Sequence, residues 1–575
     1  MATQLPEGRH LPVRPELNGG RTAHGFVTPK EDRSPQIMSV LPKRVLPIIF
    51  LPGIMGSNLR MSAARQAKMG KNNNIAWRPD NKAASLALSI ADAAERQNQL
   101  DPAETEVDVY DPVNNPTGDR NETSDQRNEK VKVNFEYKLN VGINTPLMMD
   151  DPVSYKQRRL KEHKARERGW GEVFFDSYRH ILEMCELRLN AAFRDGKPDE
   201  WWKQILDVPP EQWQAHPQPA LEALDEKTLK EAMKDCWFPV HAMGYNWLQS
   251  NRNSGVCVAE RISALIQKYQ AQTFHCEKVI LVTHSMGGLV ARAVIHPDMG
   301  NLQDKVLGIV HGVMPAIGAG AAYKRMRCGF EDAWLSITPK VLGNSGPEVT
   351  AVLGNAQGGL ELLPSQAYGN DWLRLSHKGK TIKSLPKNGD PYEEIYKLRG
   401  KWYCLLQEAW INPARDKDGG YDRTAALLDK AKAFHNAIAG TYHDQSYAHY
   451  GADSNHAAWH HVTWTLDDWA VLVDVENLRI VSDNYQGRLH VVDPKAPPPP
   501  GATTPGFDVK LAPPNEPGDQ TVPLHSAEHQ MQSGKFKGIF RQTGYEHQNS
   551  YQNGQVLNST LYSLVRIAQT MVWSK

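Results

Sequence analysis

The chain lacks several features that would assign it to a familiar class at once. It has no run of about 18 apolar residues, so no segment reads as a membrane-spanning helix. Its six cysteines, Cys185, Cys236, Cys257, Cys276, Cys328 and Cys404, are scattered and form no Cys-x-x-Cys pair. That excludes a zinc cage or a dense disulfide framework and leaves a mostly reduced set as the simpler reading. It lacks an excess of either charge, with 66 Lys+Arg against 65 Asp+Glu and a net charge of +1. No basic field exists to draw nucleic acid, so nucleic acid is not an expected partner. No internal repeat is visible. The first 35 residues are polar and rich in Pro, Gly and Arg, without the apolar core of a secretory signal. The expectation is a protein made in the cytoplasm that either stays there or leaves as cargo of a signal-independent machine.

What the chain does have is concentrated at Thr283-His284-Ser285-Met286-Gly287-Gly288. An apolar run, Val279-Ile280-Leu281-Val282, precedes it, and a helix-compatible stretch, Leu289 to Ile295, follows. Strand, sharp turn with serine at its apex, then helix is the nucleophile elbow of an α/β-hydrolase. Small residues are needed two positions either side of the serine, where strand and helix approach closely. Gly287 meets that need; Thr283 adds bulk where a glycine is usual. The bland alternative is a strand–helix turn whose serine only caps the helix.

A nucleophilic serine needs a base and a group to orient the base, and in this fold the chain order is serine, acid, histidine. Downstream, Gly518-Asp519-Gln520-Thr521-Val522-Pro523 sets an acid in a Gly/Pro-flanked loop, and Gly544-Tyr545-Glu546-His547-Gln548 sets a histidine in a polar one. The expected triad is Ser285, Asp519 and His547, with His525 and His529 as rivals that sit too early, at what reads as a helix start. Near the front, the buried strand Val45 to Leu51 runs into Pro52-Gly53-Ile54-Met55-Gly56. Such a loop supplies the second oxyanion-hole donor, so the backbone N–H groups of Ile54 and Met286 are the expected pair. The chemistry read from these residues is serine-dependent hydrolysis of a carboxylic ester, with no cofactor and no metal.

These motifs, together with Gly244-Tyr245-Asn246-Trp247, occur in the order seen in lecithin:cholesterol acyltransferase-like lipases. More closely, the chain resembles the type VI secretion lipase effectors of bacteria, third family. Gly169-Trp170-Gly171-Glu172-Val173 leading to Tyr178, and Gly359-Leu360-Glu361-Leu362-Leu363-Pro364, add to the likeness, which runs from about residue 40 to the C-terminus. The resemblance implies a secreted antibacterial lipase or phospholipase, of A1 or A2 type, acting on membrane phospholipid at the periplasm or membrane of a target cell. It also implies a type VI spike protein, an adaptor and a cognate immunity protein as partners. The alternatives are an intracellular carboxylesterase, thioesterase or acyltransferase with the same triad, and a binding protein on a hydrolase scaffold.

The expected organisation is a flexible arm over residues 1–40 followed by one α/β-hydrolase domain over 41–575. Core strands are predicted at Val45–Leu51, Pro239–Tyr245, Val279–Val282 and Val306–His311, with a helix from Cys257 to Tyr269. Large, mainly helical cap or lid insertions are expected at 61–235 and 325–467 in a mostly parallel sheet, and a proline-rich linker at 494–517. The first insertion offers a short amphipathic helix at Ala83–Ala94 and a core-packing helix at Trp170–Leu189. Gly343 to Pro347 and Gly354 to Gly359 are candidate lid hinges. Between His443 and His461 lies a crowd of histidines in which His456 and His460 would share a helix face; a metal site and an aromatic, histidine-rich face of the cap are the two readings.

Overall fold

The computed structural model describes residues 13–15, 21–25, 36–40, 42–110, 161–194, 196–331, 338–496 and 506–574. Its centre is a seven-stranded sheet ordered His216–Gln218, Phe536–Gln542, Ser446–Gly451, Val306–Gly312, Val279–His284, Ile48–Leu51, Val240–Ala242. Only the His216–Gln218 edge is antiparallel. Parallel strands are covered on both faces, so they read as unbroken apolar runs. Ile48–Leu51 and Val279–His284 are accordingly buried at every position. Successive side chains divide between two cores: Ile49, Leu51, Leu281 and Ile309 on one face, Ile48, Phe50, Ile280 and Val310 on the other.

The first face is closed by the helices Asn251–Ala271 and Gly287–Ile295, the second by Phe175–Asn190 and Gly554–Ala568. Ser250 caps the first of these through the Asn253 N–H, and Asn553 caps the last through Gln555 and Val556 N–H. Buried Gly255 lets helix meet helix, since a Cβ there would stand 2.5 Å from that of Ala293. In Phe175–Asn190 the buried Phe175, Tyr178, Ile181, Leu182, Cys185 and Leu189 make one apolar stripe.

The range 61–235 is therefore not all insertion. It contributes this core helix, whose apolar stripe covers the sheet, and the His216–Gln218 edge strand, which pairs with Phe536–Gln542. Its short helix is split into Lys82–Ile90 and Ala93–Gln99, with Asp92 capping the second half. The range 325–467 also returns to the core, at Ser446–Gly451. Besides helices, this range supplies three strands of a six-stranded sheet completed by the chain after it, ordered Lys380–Leu385, Leu373–His377, Val462–Leu466, Phe507–Leu511, Arg488–Val492, Arg479–Asp483. In the arm expected to be loose, Val13–Pro15, Arg21–Gly25 and Gln36–Val40 form an antiparallel sheet. Part of the first insertion (111–160) and the tetraproline run of the linker lie outside the described residues.

The candidate hinges are packed rather than free. A Cβ on Gly346 would meet the Arg327 carbonyl at 2.5 Å, and one on Gly358 the Trp247 carbonyl at 2.4 Å, so these glycines serve close backbone approach. Among the described residues no helix is long and apolar enough to cross a membrane.

Burial holds several histidines neutral. The imidazoles of His284, His311 and His449 are each pushed down to about 3, and that of His435 to about 4. Below the unfolded value of ~6.5 the unfolded chain takes up protons that these groups refuse in the folded state. Stability is therefore full above that value and is lost as pH falls toward the folded values, by up to ~1.4 kcal/mol per pH unit for each group. Denaturant melts between pH ~7 and ~5 should show a steadily falling midpoint; a flat midpoint would contradict these buried neutral rings.

Candidate active site

At the end of the strand Val279–His284 the chain turns on Ser285, whose φ is +52°, and enters the helix Gly287–Ile295. A non-glycine residue in this region is strained and needs surroundings that hold it there. The Ser285 N–H is held by the Gly312 carbonyl at 2.8 Å, and the Ser285 carbonyl accepts from the Gly288 N–H at 2.9 Å. A Cβ on Gly287 would stand 2.5 Å from the Leu51 carbonyl oxygen and 2.6 Å from that of Pro52. Only glycine fits, because the helix start presses on the end of Ile48–Leu51. Thr283 is accommodated as a fully buried residue whose Oγ1 has no hydrogen-bond partner among the described residues.

The three predicted loop residues come together here. His547 Nε2 lies 2.8 Å from Ser285 Oγ, and His547 Nδ1 lies 2.8 Å from Asp519 Oδ2. The other Asp519 oxygen, Oδ1, accepts the Val522 N–H at 2.7 Å and the Thr521 N–H at 3.1 Å. This is why the acid is followed by Gln-Thr-Val: the turn, with Gln520 at φ +71°, folds its own backbone donors back onto the carboxylate. Gly451, at the end of its strand, leaves room for this loop, since a Cβ there would approach Asp519 Cβ to 2.8 Å. Ser285 is 4% exposed, His547 8% and Asp519 1%. A site this enclosed strengthens each charge-assisted contact within it.

The loop Pro52–Gly56 faces the serine. A Cβ on Gly53 would stand 3.0 Å from Ser285 Cβ, and Gly56 N–H closes the turn on the Gly53 carbonyl at 3.0 Å. Tyr245 Oη donates to the Pro52 carbonyl and Trp77 Nε1 to that of Met55, both at 2.7 Å. Among the described residues no backbone carbonyl accepts from the N–H of Ile54 or of Met286. Met286 stands at the N-terminus of the elbow helix, where backbone N–H groups and the helix dipole favour negative charge.

The rival histidines are engaged elsewhere. His525 Nε2 donates to the Tyr368 carbonyl at 2.9 Å and its ring stacks on His460 at 4.2 Å; His529 ends the helix Leu524–His529. His456 and His460 do not share a helix face. His456 lies in the strand Asp453–Ala458 and bonds Asp453 at 2.9 Å, whereas His460 lies past its end with its Nδ1 2.8 Å from Glu516 Oε2. That strand pairs with Glu516–Gly518, and the His456 carbonyl accepts the Gln520 N–H at 2.8 Å, so the histidine-rich segment braces the acid loop. Among the described residues no group of three or more His, Cys, Asp or Glu side chains is arranged to hold a metal ion.

Tyr178 and His284 lie within the motifs, which by themselves assign neither a role. Tyr178 Oη accepts the Gly53 N–H at 3.2 Å and lies 3.1 Å from His284 Nδ1, and His284 Nε2 lies 2.9 Å from the His547 carbonyl oxygen. No local signal marks such a path, because its members are separated by more than a hundred residues at each step.

The sheet, elbow and loops define an α/β-hydrolase. Residues 251–326, the stretch holding the elbow and the helix before it, match the PGAP1-like alpha/beta domain. No curated protein matches the chain. Among solved structures, the Tle4–Tli4 complex contains a chain that is 31% identical and superposes with a TM-score of 0.71, over 92% of this chain and 99% of that one. The chain belongs to the family of Tle4, the type VI secretion lipase effectors. The motifs pointed to these effectors through their third family; the solved relative is Tle4.

Gly287→Ala should lower stability by ~1–3 kcal/mol, because the added methyl overlaps backbone carbonyls that cannot yield without moving a core strand. Chemical denaturation would check this, and an unchanged midpoint would mean the elbow is looser than described.

Proposed function

We propose that the chain hydrolyses acyl esters of membrane phospholipids through Ser285, His547 and Asp519, as an antibacterial effector delivered by a type VI secretion system. The observation that carries the reading is the continuous path Asp519 Oδ2–His547 Nδ1 and His547 Nε2–Ser285 Oγ, each at 2.8 Å. His547 takes the Ser285 proton as Oγ attacks the ester carbonyl carbon. Asp519 orients the imidazole and stabilises its charged form. The N–H groups of Ile54 and Met286 hold the tetrahedral oxyanion. Collapse expels the lysophospholipid oxygen, protonated by His547, and leaves an acyl-serine. Water then gives a proton to His547 and attacks the acyl carbon; Ser285 leaves with that proton and the fatty acid is freed. The reaction uses no cofactor.

Phospholipid as substrate, and passage into a target cell by way of a spike protein and adaptor, rest on the family. The Tle4 relative is known in complex with Tli4, which supports an immunity protein as partner of this chain. The enclosure of Ser285 supports a covering segment that moves before an acyl chain can enter.

The test is fatty-acid release from mixed phospholipid vesicles, with the lysolipid analysed by position. Ser285→Ala or His547→Ala should lower kcat by ~10⁶-fold, and Asp519→Asn by ~10⁴-fold. The lysolipid distinguishes A1 from A2 cleavage. Release that persists in Ser285→Ala would sink the triad. A wild type that cleaves short esters and leaves vesicles intact would favour the carboxylesterase, thioesterase or acyltransferase reading.

A further inference from the structure

The geometry points to Tyr178 and His284 as positioning residues that lock the base loop to the oxyanion loop through one directional chain of hydrogen bonds. This rests on the triad reading above. Gly53 N–H donates to Tyr178 Oη at 3.2 Å. The His547 carbonyl facing His284 Nε2 can only accept, so Nε2 carries the ring proton and Nδ1 accepts from the Tyr178 hydroxyl 3.1 Å away. A neutral imidazole that accepts at Nδ1 carries its proton on Nε2. That N–H donates to the His547 carbonyl oxygen at 2.9 Å. Every link has one donor and one acceptor, so reversing any one leaves two donors or two acceptors facing each other.

Burial keeps the chain in this state. His284 and Tyr178 are 1% and 0% exposed, and desolvation, aided by the neighbouring His547, pushes the His284 imidazole down to about 3. The same desolvation pushes the Tyr178 phenol up to about 12. The groups facing His284 are Tyr178, His547 and Tyr551 by ring contact, with Asp519 and His449 beyond. Neither ring titrates over the range in which a serine hydrolase works.

The chain matters because of what it holds. His547 sits well past the end of its strand, Phe536–Gln542, whereas Ser285 and Asp519 each follow a strand directly. Its backbone is pinned twice: its N–H to the Asp519 carbonyl at 2.8 Å, and its carbonyl by His284. Its neighbour Gln548 donates to Ser177 Oγ at 2.8 Å, so the first turn of Phe175–Asn190 grips the loop beside the Tyr178 link. Removing His284 leaves the His547 carbonyl with only the Ser550 N–H at 3.4 Å, removing Tyr178 frees the N–H of Gly53, and either change breaks the link between the two loops. The imidazole and the oxyanion turn then lose their common register, while the groups that bind substrate stay.

The experiment is turnover of a short p-nitrophenyl ester and of vesicles by the full chain, with rates expressed per active site titrated by burst amplitude. Tyr178→Phe, which keeps the buried ring, and His284→Phe should lower kcat by ~10–100-fold with KM within about twofold, the pattern of misplaced rather than missing chemistry. His284→Gln, whose carboxamide can accept from Tyr178 and donate to the His547 carbonyl, should recover most of that loss. Tyr178→Phe at wild-type kcat per titrated site overturns the inference, as does a His284→Gln no better than His284→Phe. If turnover instead survives in Ser285→Ala, the triad reading itself fails and this inference with it.

Discussion

Everything at the site depends on the contact between the start of the elbow helix and the end of the neighbouring strand. Gly287 lies against the carbonyls of Leu51 and Pro52 with no room for a side chain. That closeness does two things. It forces the turn in which Ser285 adopts a positive φ, and it brings the Pro52–Gly56 loop against Ser285. Strand, helix and the Pro52–Gly56 loop are thus set by a single packing constraint rather than by three independent ones. Strain at Ser285 is tolerated because both adjoining strands are buried throughout and cannot relax outward.

The remaining parts arrive on loops, and each loop is disciplined by its own sequence. Asp519 is held by backbone donors two and three residues on, and the strand Asp453–Ala458 braces that loop from outside. His547 is held through its backbone by partners far away in sequence. This difference explains what could be read from the chain alone. The elbow, the acid loop and the Pro52–Gly56 loop are local patterns in which short spacing is dictated by turn chemistry, so Ser285, Asp519, Ile54 and Met286 stand out in the sequence as candidates. His547 could be found from chain order. Tyr178 and His284 could not be given roles, because what joins them is tertiary and no spacing encodes it.

The fold shows the same division. The parallel strands were legible because burial on both faces leaves a continuous apolar run. The six-stranded sheet was not: Lys380–Leu385 is exposed over its first half and the partners are short. Their polar outer faces resemble loop sequence. The histidines at 456 and 460 misled for a related reason. Four-residue spacing suggests a helix, yet the segment pairs as a strand with Glu516–Gly518, and tertiary pairing overrode local pattern. The insertions proved less separate than length suggested, since a core helix and an edge strand lie inside the first of them.

The central claim is that Ser285 is the one activated nucleophile of this chain. Incubation of the full chain with a fluorophosphonate, followed by peptide mass mapping, tests it most directly. The claim requires a single adduct on the peptide carrying Ser285, formed fast in the native protein and absent after denaturation, because only the folded site sets His547 within 2.8 Å of Oγ. An adduct on another residue, or labelling of Ser285 at the same rate in unfolded chain, would contradict it.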